Sequence, residues 1–115
     1  MSDCDLFLLK PGFADPAFPD AVFFDRYSAL LEGVFHAFPA LSDRIAVHRV
    51  DFERPRRAVA ELAGEANQTL PRLVLPAGVQ SSHAVAEHEG RKSVAGASAI
   101  IAVLVEQYGV PPPHP

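Results

Sequence analysis

Thr69-Leu-Pro-Arg-Leu-Val-Leu75 places a proline directly before a short apolar run. We interpret this stretch as a strand, because proline is tolerated at the first residue of a strand or in a cis turn before it. The chain must turn sharply there to face the start of a helix. We therefore predict a cis Leu70–Pro71 peptide bond.

Three other stretches have the patterns of strands. The run at 5–10 is apolar and too short for a helix, residues 45–52 alternate between apolar and polar, and residues 91–95 form a short fourth candidate.

Three helices are predicted between these strands. Asp25 is a good N-cap for a helix that Pro39 closes, and Pro55 suits the first turn of a second helix ending near Asn67. The third helix covers Ser98 to Tyr108 and ends before Gly109.

The resulting order, β-α-β-α-β-β-α, predicts an α/β three-layer sandwich with a mixed four-stranded sheet. Its first two strands are parallel through a right-handed crossover, and its last two form a hairpin. We expect residues 1–110 to form one domain and residues 111–115 an extended, proline-rich tail. Residues 11–24 are predicted as a proline-rich loop, and residues 77–90 as a mobile hairpin connection.

The composition argues against several classes of protein. The net charge is −4, so neither nucleic acid nor an anionic membrane is an expected partner. No apolar run approaches the roughly 20 residues of a bilayer span. The acidic start, Met1-Ser-Asp-Cys-Asp5, does not resemble a signal peptide, and a lone Cys4 fits the reducing cytoplasm. One cysteine cannot run an intramolecular dithiol–disulfide cycle.

The element order, with Thr69-Leu70-Pro71 before the third strand, resembles the thioredoxin superfamily, in particular glutaredoxins and the N-terminal domains of glutathione transferases. In that resemblance residues 25–38 correspond to the active-site helix, Pro71 to the cis-proline and residues 96–108 to the final helix. The resemblance covers nearly the whole chain.

Three further motifs are similar to those of a small, mostly proteobacterial family of uncharacterised proteins. They are Phe7-Leu-Leu-Lys-Pro-Gly-Phe13, Ala29-Leu-Leu-Glu-Gly-Val34 and the end Pro112-Pro-His-Pro115. That resemblance implies a domain of unknown function and brings no activity with it.

The chain departs from both named relatives at their working residues. Glutaredoxins begin the active helix with Cys-x-x-Cys or Cys-x-x-Ser, whereas this chain has Asp25-Arg26-Tyr27-Ser28. A carboxylate there caps a helix but cannot attack a disulfide. Glutathione transferases open the last helix with an acidic residue and serine that hold the γ-glutamyl group, and here the pair is Gly96-Ala97.

The candidate ligand-binding residues are Asp25, Arg26, Tyr27, Ser28, Thr69, Leu70 and Pro71. Asp25 is either a structural N-cap or a functional carboxylate at the former thiol position. The turn at Arg26 to Ser28 either binds an anion or is solvated surface. Leu70 is expected to leave a backbone edge free to pair with an extended ligand.

Two other groups of side chains are interpreted as structural. Arg54, Arg56 and Arg57 are offset by nearby carboxylates, so we read them as the solvated start of a helix. His83 and His88 match no dedicated metal geometry, and we expect neither a metal nor a cofactor.

Two functions follow as alternatives. The first is a redox-inactive thioredoxin-like module that binds a protein, peptide or small ligand between residues 25–28 and 69–71. The second is a transferase-like enzyme that binds glutathione or another thiol cofactor and uses the hydroxyl of Ser28 or Tyr27. With eight Phe in so small a domain, we also expect a homodimer.

Overall fold

A computed structural model describes residues 3–115. Met1 and Ser2, which belong to the segment predicted not to be a signal peptide, lie outside the described residues. The strands are β1 Cys4–Leu9, β2 Phe13–Asp15, β3 Phe18–Phe23, β4 Ile45–Val50, β5 Arg72–Val74, β6 Ala86–His88 and β7 Arg91–Ala95. The helices are α1 Arg26–Ala37, α2 Arg57–Ala63 and α3 Ala97–Tyr108, and a 3₁₀ turn at Pro39–Asp43 follows α1.

The main sheet is mixed and has five strands in the order β4-β1-β5-β7-β6. β1 and β4 are parallel, with Leu6 opposite Val47, which confirms the predicted parallel pair. β5 runs antiparallel to both β1 and β7. The prediction of four strands was wrong, because the segment at 77–90 contains β6, which pairs with β7 and extends the sheet by one strand.

Helices cover both faces of the sheet, because the apolar side chains of β1 point alternately to one face and to the other and both faces need to be shielded from water. Leu6 and Leu8 point into a core shared with α1 and α3. Phe7, between them, points to the opposite face and packs against Val59 and Ala63 of α2. The result is an α/β arrangement with two separate cores, one on each face of the sheet.

Residues 11–24 are not a loop throughout, because β2 and β3 pair as a separate two-stranded sheet. The prolines are compatible with this arrangement: Pro16 lies in the turn, and Pro19 lies in a strand with only one partner. The Phe13 ring stacks on that of Phe52, with centroids 4.6 Å apart and planes 5° apart. This contact anchors the β2–β3 hairpin on the segment after β4.

The helix boundaries agree with the sequence except at α2. The structure confirms Asp25 as the N-cap of α1 and Gly109, at a φ of 72°, as the left-handed end of α3. α2 begins two residues after Pro55 and ends at Ala63. Gly64, at a φ of 99°, leaves the helical conformation there, and the Asn67 side chain donates to the Ala63 carbonyl. No helix within residues 3–115 is long and apolar enough to cross a membrane.

Candidate functional site

The start of α1 is held by a compact set of hydrogen bonds. The Ser28 backbone N–H donates to Asp25 Oδ2 at 2.9 Å, and Ser28 Oγ donates to the same oxygen at 2.8 Å. Ser28 Oγ also accepts from the Leu9 N–H at 3.1 Å. Ser28 is buried, so these bonds tie the first turn of α1 to the end of β1.

The two residues between them behave differently. Arg26 and Tyr27 are exposed on the first turn, and the Tyr27 ring is 53% exposed. Of the four residues predicted at this turn, Asp25 and Ser28 therefore face the fold, whereas Arg26 and Tyr27 face solvent. The exposed pair is available to a ligand without rearrangement of the helix start.

The Leu70–Pro71 peptide bond is cis. Pro71 is buried, and its carbonyl accepts from the Gly96 N–H at 3.1 Å. Thr69 accepts two bonds from the Arg72 guanidinium, at its carbonyl and at its hydroxyl. The backbone N–H and C=O of Leu70 have no hydrogen-bond partner among residues 3–115. A backbone edge is therefore open at Leu70.

The two predicted halves of the site do not line one cavity. A cavity of about 190 Å³ at the start of α1 is lined by Leu9, Phe24, Asp25 and Ser28, without Thr69, Leu70 or Pro71. Arg56 contacts the second half. Its Nη1 donates to the Gln68 carbonyl at 2.8 Å, next to Thr69.

Arg56 is a buried residue, which corrects its interpretation as part of a solvated helix start. It is 8% exposed, its Nε and Nη2 both donate to the Phe52 carbonyl, and its backbone N–H donates to Gln68 Oε1 at 2.6 Å. Burial lowers the pKa of the guanidinium, the neighbouring charge of Arg54 lowers it further, and Asp25 raises it. Among residues 3–115, no carboxylate forms an ion pair with Arg56.

Two cavities lie on either side of the segment around Arg56. The first, here called the hairpin cavity, has a volume of about 640 Å³ and lies between the β2–β3 hairpin and Phe52. The second, the basic cavity, has a volume of about 410 Å³ and lies between the end of β4 and the start of α2. Glu53, Arg54 and Arg56 line both cavities and form a shared wall.

Cys4 lies away from all of these features. It begins β1, whereas Leu9, at the other end of the strand, meets Ser28, and five residues of strand span roughly 16 Å. Its Sγ is 2.8 Å from the Tyr108 hydroxyl, and burial raises the pKa of its thiol. The thiol is therefore neither near the start of α1 nor activated as a nucleophile.

Neither the start of α3 nor the histidines at 83 and 88 contribute side chains to a functional site. Gly96, exposed before α3 at a φ of 89°, and Ala97 carry no side-chain hydrogen-bonding group, and no side chain caps the start of that helix among the described residues. Over residues 3–115, no three His, Cys, Asp or Glu side chains come together as a group able to hold a metal ion.

Neither the curated proteins nor the solved structures contain a significant match to this chain. A family model described as "Protein of unknown function (DUF3088)" matches residues 3–112, nearly the full length. The expectation of an uncharacterised family is confirmed. The chain belongs to this family of proteins of unknown function, DUF3088.

Proposed function

We propose that this chain is a redox-inactive, thioredoxin-like binding module that works in the cytoplasm. The topology supports the likeness: without the short strand β6, the sheet order is second-first-third-fourth, with a parallel first pair and an antiparallel second half. Helices on both faces also suit this fold. Because a fold alone implies no reaction, the function has to be argued from the site.

The open backbone edge at Leu70 is the observation that carries the proposal. An unpaired N–H and C=O beside a half-buried apolar side chain is the arrangement to which an extended peptide adds as a strand. The proposed contacts are the Thr69 and Leu70 backbone beside Pro71, with the exposed Arg26 and Tyr27 as additional contacts from the start of α1. Asp25 and Ser28 hold that helix start in place rather than contact the ligand.

The transferase-like alternative is disfavoured by the state of Ser28. Its hydroxyl is buried, donates to Asp25 and accepts from Leu9. Because its only proton is already donated to Asp25, it has none left for a hydrogen bond to a cofactor thiolate. The Tyr27 hydroxyl has no hydrogen-bond partner within residues 3–115, yet Gly96 and Ala97 supply no side-chain contacts for a γ-glutamyl group. We expect no heat of binding when glutathione is titrated into the protein by calorimetry.

Peptide binding is tested by selecting a random heptapeptide library on the folded protein and titrating an enriched peptide into ¹⁵N-labelled protein. We expect the Leu70 amide to shift and to gain protection from hydrogen exchange. The variant Tyr27→Ala should weaken binding about tenfold, since a contacting aromatic side chain contributes on the order of 1–2 kcal/mol. Val85→Ala, an exposed control elsewhere, should bind normally. Enriched peptides whose shifts map away from Leu70, or no enrichment, would contradict the proposal.

A further inference from the structure

Positive charge is concentrated at one place on a chain whose overall charge is −4. The basic cavity is lined by five cationic side chains, Lys10, Arg49, Arg54, Arg56 and Arg57, and by only two carboxylates, Asp51 and Glu53. Such a concavity attracts anions, because low-dielectric walls focus the field of the charges that line it.

Three of these cations have no ion-pair partner among the described residues. Lys10 pairs with Asp51 at 3.3 Å, and Arg49 pairs with Glu32 of α1 at 2.7 Å. Arg54, Arg56 and Arg57 form no such pair in the part of the chain that the structure covers. The cavity therefore keeps an uncompensated charge that a multiply charged anion would neutralise.

Arg56 gives this charge a fixed position. The residue is 8% exposed, and the carbonyls of Phe52 and Gln68 accept hydrogen bonds from its guanidinium on two sides. A buried cation without a carboxylate costs free energy, and an anionic ligand would offset that cost. Because carbonyls already orient the group, little side-chain entropy is lost when the ligand arrives.

The neighbouring hairpin cavity has a different chemistry. It shares the wall of Glu53, Arg54 and Arg56 but is also lined by Phe18, which is 63% exposed, beside Pro16 and Pro19. Its two remaining charged residues, Asp15 and Asp20, are carboxylates that repel an anion. A ligand that spans the wall would place an apolar ring here and its anionic group in the basic cavity.

We propose that the segment 52–57 binds a phosphate monoester that carries an aromatic group. The phosphate lies in the basic cavity against Arg54, Arg56 and Arg57, and the ring lies in the hairpin cavity against Phe18. Guanidinium groups suit this ligand because their forked donors match the oxygens of a phosphate. This site is separate from the open backbone edge at Leu70 and stands whether or not a peptide binds there.

The experiment titrates three probes into the full chain by calorimetry: phenyl phosphate, inorganic phosphate and phenylacetate. We expect phenyl phosphate to bind most tightly, inorganic phosphate more weakly and phenylacetate weakest. Arg54→Gln and Arg57→Gln, both at exposed positions, should each weaken phenyl phosphate binding about tenfold, the loss of one charged hydrogen bond. Phe18→Ala should lower affinity for phenyl phosphate to that for inorganic phosphate and leave the latter unchanged.

Arg91→Gln, at the first residue of β7, is the matched control, because it removes the same charge at a position that lines neither cavity. It should leave all three affinities unchanged, and thermal unfolding should show every variant folded. The proposal is overturned if phenyl phosphate gives no saturable binding, or if Arg91→Gln weakens it as much as Arg54→Gln does. It is also overturned if Arg54→Gln and Arg57→Gln bind like the wild type.

Discussion

At the scale of single residues, the Asp25 carboxylate serves two donors at once. Its Oδ2 accepts from both the backbone N–H and the hydroxyl of Ser28, and that hydroxyl is buried. Removing the carboxylate would therefore lose an N-cap and also leave a buried hydroxyl without its acceptor. The structural role of Asp25 is larger than that of a cap at an exposed helix end.

We expect Asp25→Ala to lower the free energy of unfolding by about 2–3 kcal/mol, the sum of a cap and an unsatisfied hydroxyl. Asp25→Asn should cost little, since its amide oxygen can still accept. In a Ser28→Ala background, Asp25→Ala should cost less, because no orphaned hydroxyl remains. Urea unfolding of the wild type, Asp25→Ala, Ser28→Ala and the double variant measures this coupling, and strictly additive costs would show that the two side chains act independently.

The thiol of Cys4 is predicted to be inert in the folded protein. Burial raises its pKa, so little thiolate exists at neutral pH. A colorimetric disulfide reagent should therefore react far more slowly with the native chain than with the chain in urea. The protein should also fail to reduce insulin. Equal reactivity of the native and unfolded thiol would show that Cys4 is accessible.

At the scale of elements, Arg72 joins β5 to β7 and to the turn before β5. It is buried, and its guanidinium donates to Ser93 Oγ at 2.8 Å, to the Thr69 hydroxyl at 2.8 Å and to the Thr69 carbonyl. Burial lowers its pKa, and no carboxylate pairs with it within residues 3–115. Neutral acceptors alone hold this charge in the sheet.

Ser93→Ala should therefore destabilise the protein by about 1–3 kcal/mol, because one buried donor of Arg72 loses its acceptor. Ser82→Ala is the matched control, since Ser82 is exposed on the segment before β6. Chemical denaturation compares the two variants. A cost for Ser93→Ala no greater than that for Ser82→Ala would show that Arg72 finds another acceptor.

The contact between α3 and β1 gives the stability a pH dependence. Burial raises the pKa of both the Cys4 thiol and the Tyr108 hydroxyl, which are hydrogen-bonded to each other. Between the ordinary pKa values, about 8.5 and 10, and the raised ones, the unfolded chain loses protons that the native chain keeps. The unfolded state is then favoured, so this stabilising contribution is complete below about pH 8 and declines as the pH rises.

We expect the urea midpoint to fall steadily between about pH 8.5 and 11. The double variant Cys4→Ala, Tyr108→Phe removes both titrating groups and should show a flatter profile than the wild type over that range. Identical slopes for the two proteins would mean that other groups control the alkaline transition.

At the scale of the whole molecule, an apolar groove lies between α1 and α3. It has a volume of about 800 Å³ and includes Leu30, Val34, Ile101 and Val105, with the prolines at 111–113 along one side. Leu30 is 51% exposed, whereas Leu31 beside it is buried. The apolar face of α1 is thus wider than the part that packs in the core, and Leu30 and Val34 face this groove.

The homodimer remains a prediction, and this groove is where we expect a second copy to pack. Sedimentation velocity over a range of concentrations should show a monomer–dimer equilibrium. Leu30→Glu and Val105→Glu should each shift it to monomer, since a charge would be buried in an apolar contact. Val85→Glu, at an equally exposed valine outside the groove, should not. A monomer at every concentration would contradict the prediction.

The sequence by itself determined the order of the four strands β1, β4, β5 and β7 and the three helices, the cap at Asp25, the end of α3 at Gly109 and the absence of a dithiol pair. These features depend on residues within a few positions of one another, whose spacing is visible in the chain. Only the tertiary structure decided the β2–β3 hairpin, the fifth strand and the burial of Arg56. Phe13 finds Phe52, and Arg56 finds Gln68, only after the chain has folded. Such partners are chosen by the closure of the sheet and its helices, so no local pattern marked the Arg56 guanidinium as buried or the segment around it as the wall of two cavities.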